Sequence, residues 1–255
     1  MIRFIKRSLK AIAASWGVVM FKRSTGIYLP EDEMPQLVQR LCGKAAPVVV
    51  DGGAHRGGFV SAIRRTAPEA RFICFEPTPN LVEDLRVMFV NDSRVVVVGA
   101  ALGDAPGTAK FHLNASSATN SLLPSSSQTA GALGALGITQ TLVEVAVTTM
   151  DTALENLNQS EVDIIKLDLQ GYDLCALLGA TRTLKGASVV VVEVWFAPLY
   201  EGASDYLQIC TFMNERGFVL YTLTSLHYGH TDRLLWGDAV FVPRGSPAWT
   251  APISN

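Results

Sequence analysis

Beyond its first 24 residues, the chain holds no apolar run near the ~20 residues of a membrane-spanning helix. It also lacks any Cys-x-x-Cys pair. Cys42, Cys74, Cys175 and Cys210 are widely separated and three of them sit in apolar surroundings, which excludes a disulfide scaffold and points to a reduced, cytoplasmic protein. An excess of charge is missing too: 21 Lys and Arg against 23 Asp and Glu leave a formal net charge of −2. Nucleic-acid phosphates call for a basic face, so nucleic acid is not the expected partner.

What the chain does have is apolar mass. At 255 residues and 49% hydrophobic composition it can bury one large core. Domains of about 100–200 residues favour one elaborated domain, 31–255, behind an N-terminal segment, 1–30. That segment, MIRFIKRSLKAIAASWGVVMFKRS, sets six Lys and Arg residues among Ile2, Ile5, Leu9, Ile12 and Trp16 at near-helical spacing. It reads as a basic amphipathic helix packed on the domain. Peripheral attachment to the inner face of a membrane is the competing reading, and a short apolar centre without a small-residue cleavage site argues against a signal peptide.

Short β-branched runs recur at 48–51, 71–76, 94–100, 162–168, 187–195, 217–223 and 238–242, as expected of strands buried on both faces. Helical patterns lie between several of them, at 59–66, 80–90, 172–178 and 205–216. Strand and helix in alternation predict a doubly wound α/β fold with a mostly parallel sheet. Residues 107–149 break the alternation with TAKFHLN, a Ser/Ala/Gly-rich stretch from Asn114 to Thr139, and LVEVAVTT. We expect a β insertion between core strands 3 and 4 that carries a mobile loop.

The turn after the first strand is VVVDGGAHRGG, Val48 to Gly58. A dinucleotide fingerprint aligned on Gly52 and Gly57 would put Ala54 at its middle glycine, so that fit is broken. Acid-x-Gly-x-Gly-x-Gly matches Asp51, Gly53 and Gly57, with His55 at the middle position. A carboxylate at the mouth of the loop repels a pyrophosphate but suits a cation. S-adenosylmethionine carries a sulfonium and an ammonium, and glycines let backbone approach it closely. Glu76, 25 residues on at the end of the second strand, stands where an acid accepts hydrogen bonds from ribose hydroxyls. Asp104 follows the third strand where adenine contacts are expected, with a turn carboxylate as its plainer role.

Taken in order, DGGAHRGG, FEPTPNLVEDL, AALGDAPGTAKFH, KLDLQGYDLCALLGA and LWGDAVFV resemble the FkbM family of S-adenosylmethionine-dependent methyltransferases, from about Pro47 to Pro243. The resemblance implies a class I methyltransferase fold, Rossmann-like, with a seven-stranded sheet whose last strand is antiparallel. It implies S-adenosylhomocysteine as product and O-methylation of a sugar, glycan or small natural-product hydroxyl. Asp51, Gly53, Gly57 and Glu76 would then bind the cofactor, and Asp168 would face cofactor and acceptor. His55 replaces the family's usual Asn, and Gln170 replaces a frequent Glu, which removes a charge near the acceptor. Asn120 and Ser121, in ATNSLL, resemble a short polar motif that reaches the cofactor.

Methyl transfer to an alcohol needs alignment and a destination for one proton. Asp168, at the carboxyl end of the fourth strand, is the first candidate base. Lys166 is expected to pair with a nearby carboxylate. Glu193 would join Asp168 in an acidic pocket, and His227 is a further candidate base in the loop before the last strand. Trp195, Phe196, Tyr200 and Tyr228 offer aromatic faces for a sugar, though rings near strand ends usually serve the core. No residue spacing matches a closed metal site. A NAD-dependent oxidoreductase and a non-catalytic, membrane-associated adenosine-ligand module are the alternatives.

Overall fold

The computed structural model describes residues 34–127, 138–197, 199–229 and 232–252. The amphipathic segment expected at 1–30 lies outside them, as do His230 and residues 128–137 of the insertion.

The β-branched runs become the central strands because both of their faces are covered. These are β1 (Val48–Gly52), β2 (Arg71–Phe75), β3 (Val95–Val98), β7 (Ile164–Leu167), β8 (Val189–Trp195), β9 (Phe218–Tyr228) and β10 (Leu234–Pro243). They form one sheet in the order β3-β2-β1-β7-β8-β10-β9. β10 is antiparallel to both neighbours, while β1, β2, β3, β7 and β8 pair in parallel. The class I methyltransferase architecture and its antiparallel last strand are therefore observed. Every residue of β7 and β8 is buried, including Lys166 and Glu193.

On one face, Val49, Ile164, Val189, Val191 and Val240 pack against helices α1 (Met34–Cys42) and α2 (Gly58–Arg64). In α1 the buried Met34, Leu37 and Val38 recur at i, i+3 and i+4. On the other face, Val190, Val192 and Val194 meet α4 (Met150–Asn156), α5 (Asp173–Leu178) and α6 (Tyr206–Glu215). α6 starts in a capping box made by Asp205 and Gln208, whereas α3 (Pro79–Met88) starts at a proline, whose fixed φ suits the first turn.

The β insertion is present. β4 (Ala101–Leu102), β5 (Gly107–Asn114) and β6 (Thr139–Thr148) make a second sheet in the order β4-β6-β5. The loop residues described on either side of 128–137 are hydrogen-bonded to the rest of the fold. The Ser121 hydroxyl donates to the Gln170 carbonyl, and Asn120 Oδ1 accepts from the Asn114 amide. Ser125 bridges to Tyr200, and the Ser126 amide donates to the Leu199 carbonyl. Short polar side chains here satisfy backbone groups and fix the chain. β9 also runs further than expected, so His227 lies within a strand. In TLTSLHY the polar/apolar alternation breaks at Thr224 and Ser225, where Ser225 takes φ +49° and the pairing with β10 shifts register, so the pattern does not read as a strand.

Strand order reverses between β1 and β7, so their carboxyl ends open a crevice where ligands of parallel sheets bind.

Candidate functional site

Gly53 and Asp168 stand side by side at that crevice, since β1 and β7 pair in register up to Gly52 and Leu167. Gly53 has φ +77°, and a Cβ there would lie 2.1 Å from the Asp168 carbonyl oxygen. Only glycine allows the glycine turn and the end of β7 to meet so closely. Gly57, at φ +73°, begins α2 against the ring of Phe89. Between them His55 also takes a positive φ of 49°. The amides of Gly53 and Ala54 both donate to the Phe75 carbonyl, which ties the loop to the end of β2.

Glu76 is 4% exposed, and backbone amides position its carboxylate. Oε2 accepts from the His55 amide at 2.9 Å and Oε1 from the Thr78 amide at 2.8 Å. One acid thus fixes both the glycine loop and the entry to α3, and each oxygen keeps a lone pair for a further donor. His55 Nε2 lies 2.8 Å from Ser117 Oγ, which links the loop to the insertion.

These groups line an open cleft of about 680 Å³ including its mouth, the size range of small-molecule sites. Gly53, His55, Glu76, Thr78, Asp168 and Gln170 supply its polar wall; Phe75, Ala100, Ala101, Leu102, Phe111, Leu122 and Tyr172 supply much of the apolar one. The donor set fits S-adenosylmethionine. A buried acid with free lone pairs suits ribose hydroxyls, an apolar slot suits adenine, and carboxylates suit a cationic centre.

Not every residue singled out in the sequence reaches the cleft. Asp51 lies fully buried beneath it, and neither carboxylate oxygen has a hydrogen-bond partner among the described residues. Burial pushes its pKa up to about 6 against the opposing pull of Lys166. Asp104 is exposed on the turn after β4 and does not line the cleft; Ala100 to Leu102 do. Ser121 is 1% exposed and turned to the Gln170 carbonyl, while its neighbour Asn120 lines the cleft. His227 stacks on Trp236 at 4.5 Å between ring centroids, three strands beyond β7 on β9. Tyr228 is exposed, and Phe196 stacks on Tyr206.

The other side of Asp168 is a row of acids. Sheet register places Gly53, Asp168, Glu193 and Asp238 in one row, at the carboxyl ends of β1 and β7, near that of β8 and in the middle of the antiparallel β10. Lys166 Nζ reaches Asp168 Oδ2 at 3.1 Å, and the Asp168 side chain remains 37% exposed. Gln170 Nε2 donates to Asp168 Oδ1 at 2.7 Å and to Glu193 Oε2 at 3.0 Å. The Tyr200 hydroxyl donates to Gln170 Oε1 at 2.7 Å.

Opposite shifts follow. Burial alone would raise the pKa of Asp168, but Lys166 and the Gln170 amide hold it below its ordinary value. Burial and the neighbouring Asp168, Asp173 and Asp238 carboxylates push the Glu193 pKa well above the usual carboxylate range, opposite in direction to Asp168. Asp173, 1% exposed, accepts from the Leu169 and Gly171 amides; burial, then repulsion from Asp168, raises it to about 7. Among the described residues no three His, Cys, Asp or Glu side chains converge as a metal-ligand group.

Sequence reasoning did not anticipate Thr78, Tyr172, Asp173 or Asp238 in this region, nor Tyr200 as a hydrogen-bond partner. For Asp238 the available signal was its place at the head of the run DAVFV, which pairs with β8 and sets Asp238 opposite Glu193.

The Methyltransferase FkbM domain model matches residues 51–220, more than half of the chain. Among solved structures, the chain is similar to methyltransferase FkbM from Methylobacillus flagellatus KT, at 15% identity and a TM-score of 0.53. That match covers 85% of this chain and 48% of the other, so the chain spans about half the length of that protein. It is also similar to a candidate sarcosine dimethylglycine methyltransferase from Galdieria sulphuraria, at 10% identity and a TM-score of 0.50, covering 83% and 84% of the two chains. No curated protein matches the chain. The two structural likenesses carry the fold, and the family match decides between the methyl donor and the nicotinamide alternative: the chain belongs to the FkbM methyltransferase family, and S-adenosylmethionine is its cofactor.

Proposed function

We propose that the protein methylates a hydroxyl of a sugar, glycan or small natural product by in-line transfer. The observation that carries this reading is Asp168, a partly exposed carboxylate that belongs both to the cofactor cleft and to the row of acids beside it. S-adenosylmethionine supplies an electrophilic methyl group on a sulfonium.

The chain's own residues do the rest. Glu76 accepts ribose hydroxyls with the lone pairs that His55 and Thr78 leave free. Ala101, Leu102, Phe111 and Tyr172 wall off the adenine and exclude water. Glu76, Asp51 and Asp168 set a negative potential that favours a cationic donor. Asp168, held below the ordinary carboxylate pKa by Lys166 and Gln170, would accept the proton that the acceptor hydroxyl loses when the methyl group is transferred and a neutral thioether is left. Its low basicity leaves alignment of oxygen, carbon and sulfur as the larger contribution to rate.

The acceptor in this reading is a small molecule or glycan, not nucleic acid, and the protein works in the cytoplasm. No helix among the described residues is long and apolar enough to cross a membrane. If residues 1–30 touch the inner membrane face, their removal abolishes liposome binding.

The test is incubation of the purified protein with methyl-labelled S-adenosylmethionine and a panel of hydroxyl, amine and carbon acceptors. Label on a hydroxyl oxygen supports the reading. Label only on nitrogen or carbon, or S-adenosylhomocysteine binding without turnover on any acceptor, overturns it.

A further inference from the structure

Gln170 occupies an unusual position. Its backbone takes φ +53° and Gly171 follows at +93°, so the chain turns sharply directly after Asp168 and Leu169. Three contacts hold that turn: the Ser121 hydroxyl on the Gln170 carbonyl at 2.9 Å, and Asp173 accepting from the Leu169 and Gly171 amides. A non-glycine residue in left-handed backbone conformation costs of order 1 kcal/mol or more and persists where surroundings over-determine it.

The side chain uses what the turn gives it. A carboxamide has two N–H donors on one atom and an acceptor on the other. The donors meet Asp168 Oδ1 at 2.7 Å and Glu193 Oε2 at 3.0 Å, and the acceptor meets the Tyr200 hydroxyl at 2.7 Å. The reverse amide orientation would set its oxygen 2.7 Å from an oxygen of the Asp168 carboxylate, which has no proton to give, so that contact assigns the orientation. A glutamate here would donate to neither acid and would place a third carboxyl between them.

We infer that Gln170 is a positioning residue whose carboxamide holds Asp168 and Glu193 together and leaves the remaining Asp168 lone pairs facing the cleft. This rests on the methyltransferase reading above, because it is the acceptor's proton that Asp168 takes. With Oδ2 against Lys166 and Oδ1 against Gln170, the Asp168 carboxylate cannot rotate. The proton leaves the acceptor hydroxyl for Asp168 as the new carbon–oxygen bond forms. Tyr200, 1% exposed and bonded at its ring to Trp195 by an edge contact of 5.3 Å, fixes the far end of the amide.

The groups that set the Asp168 titration come from every element around it. They are Lys166 on its own strand, Asp51 on β1, Glu193 on β8, Asp238 on β10, Asp173 at the start of α5 and Tyr200. Glu76 and His227 act one step further out, through Asp51 and Asp238. Within that set the Gln170 donor lowers the Asp168 pKa, so losing it raises the Asp168 titration.

The experiment is a carbon-13 carboxyl NMR titration of the full chain with and without S-adenosylhomocysteine, in the unaltered protein, Gln170→Met and Gln170→Glu. Methionine keeps the volume and adds no charge; glutamate adds a charge. The Asp168 midpoint is expected to rise by about 1 pH unit in Gln170→Met and further in Gln170→Glu. The acid limb of the kcat profile should move with it, while the acceptor KM changes less than about threefold. Should either variant fail to fold, Tyr200→Phe removes the hydroxyl that lies 2.7 Å from the amide oxygen and 3.1 Å from the Thr119 carbonyl, and a smaller rise in the same direction is expected. An unmoved Asp168 midpoint in a folded Gln170→Met or Tyr200→Phe protein overturns the inference. Failure of the methyltransferase reading is distinguishable, since it shows in the unaltered chain as no S-adenosylhomocysteine binding or no turnover.

Discussion

The two halves of the cleft solve the problem of a buried acid in different ways. At the ends of β1 and β2, Glu76 is satisfied by backbone amides within 21 residues of it in sequence, and its environment is local. Across β7, β8 and β10, Asp168, Glu193 and Asp238 stand in one row, and Asp168 and Glu193 lean on Lys166, Gln170 and Tyr200 side chains. Backbone donors are fixed by the fold and make a rigid cradle. Side-chain donors and shared protons make a site whose charge can change during a reaction. The first half suits a cofactor common to the family, and the second suits an acceptor particular to this chain.

The comparison is broken most completely where the halves touch. Gly53→Ala forces a Cβ to within 2.1 Å of the Asp168 carbonyl at φ +77°, so β1 and β7 must part. We expect a loss of about 3 kcal/mol or more in denaturant-measured stability, or no folded protein. Stability within 1 kcal/mol of the unaltered chain, about the size of a typical point mutation, would show that the two strand ends are not locked together.

Asp168→Asn separates chemistry from binding. Turnover should fall by about a hundredfold or more, the usual scale of a lost proton acceptor. A loss under about threefold would leave Asp168 a bystander.

Asp51 sharpens the contrast from below. Its folded pKa of about 6 lies above the ordinary 3.8, so the native state binds an extra proton between those values and stability falls as pH rises through that window. Asp51→Asn removes the effect. It should gain about 2 kcal/mol over the unaltered protein at pH 8 and nothing at pH 4, read from chemical denaturation at both. An equal gain at both pH values would tie the effect to packing instead of charge.

What was legible in the sequence follows the same division. DGGAHRGG and Glu76 lie 25 residues apart on consecutive strands, so spacing alone brought them to one edge. The continuous β-branched runs marked the sheet because both faces are buried. Gln170 was visible as a departure, but its partners were not. Glu193 is 23 residues away and Tyr200 30, and only the register of β7 with β8 brings them together. α4 was hidden for a different reason: it has seven residues, and its start is a Thr149 cap after a strand instead of a long apolar period. The partners of the serine-rich insertion were not legible, because composition reports solubility of a loop and not which backbone groups its hydroxyls meet, as Ser121 meets the Gln170 carbonyl.

Calorimetric titration with S-adenosylhomocysteine of the unaltered protein, Glu76→Ala and Asp168→Asn tests the division most directly. The account predicts saturable binding that weakens tenfold or more, about 1.4 kcal/mol, in Glu76→Ala and stays within about threefold in Asp168→Asn. Equal losses in both variants, or a larger loss in Asp168→Asn, would contradict it.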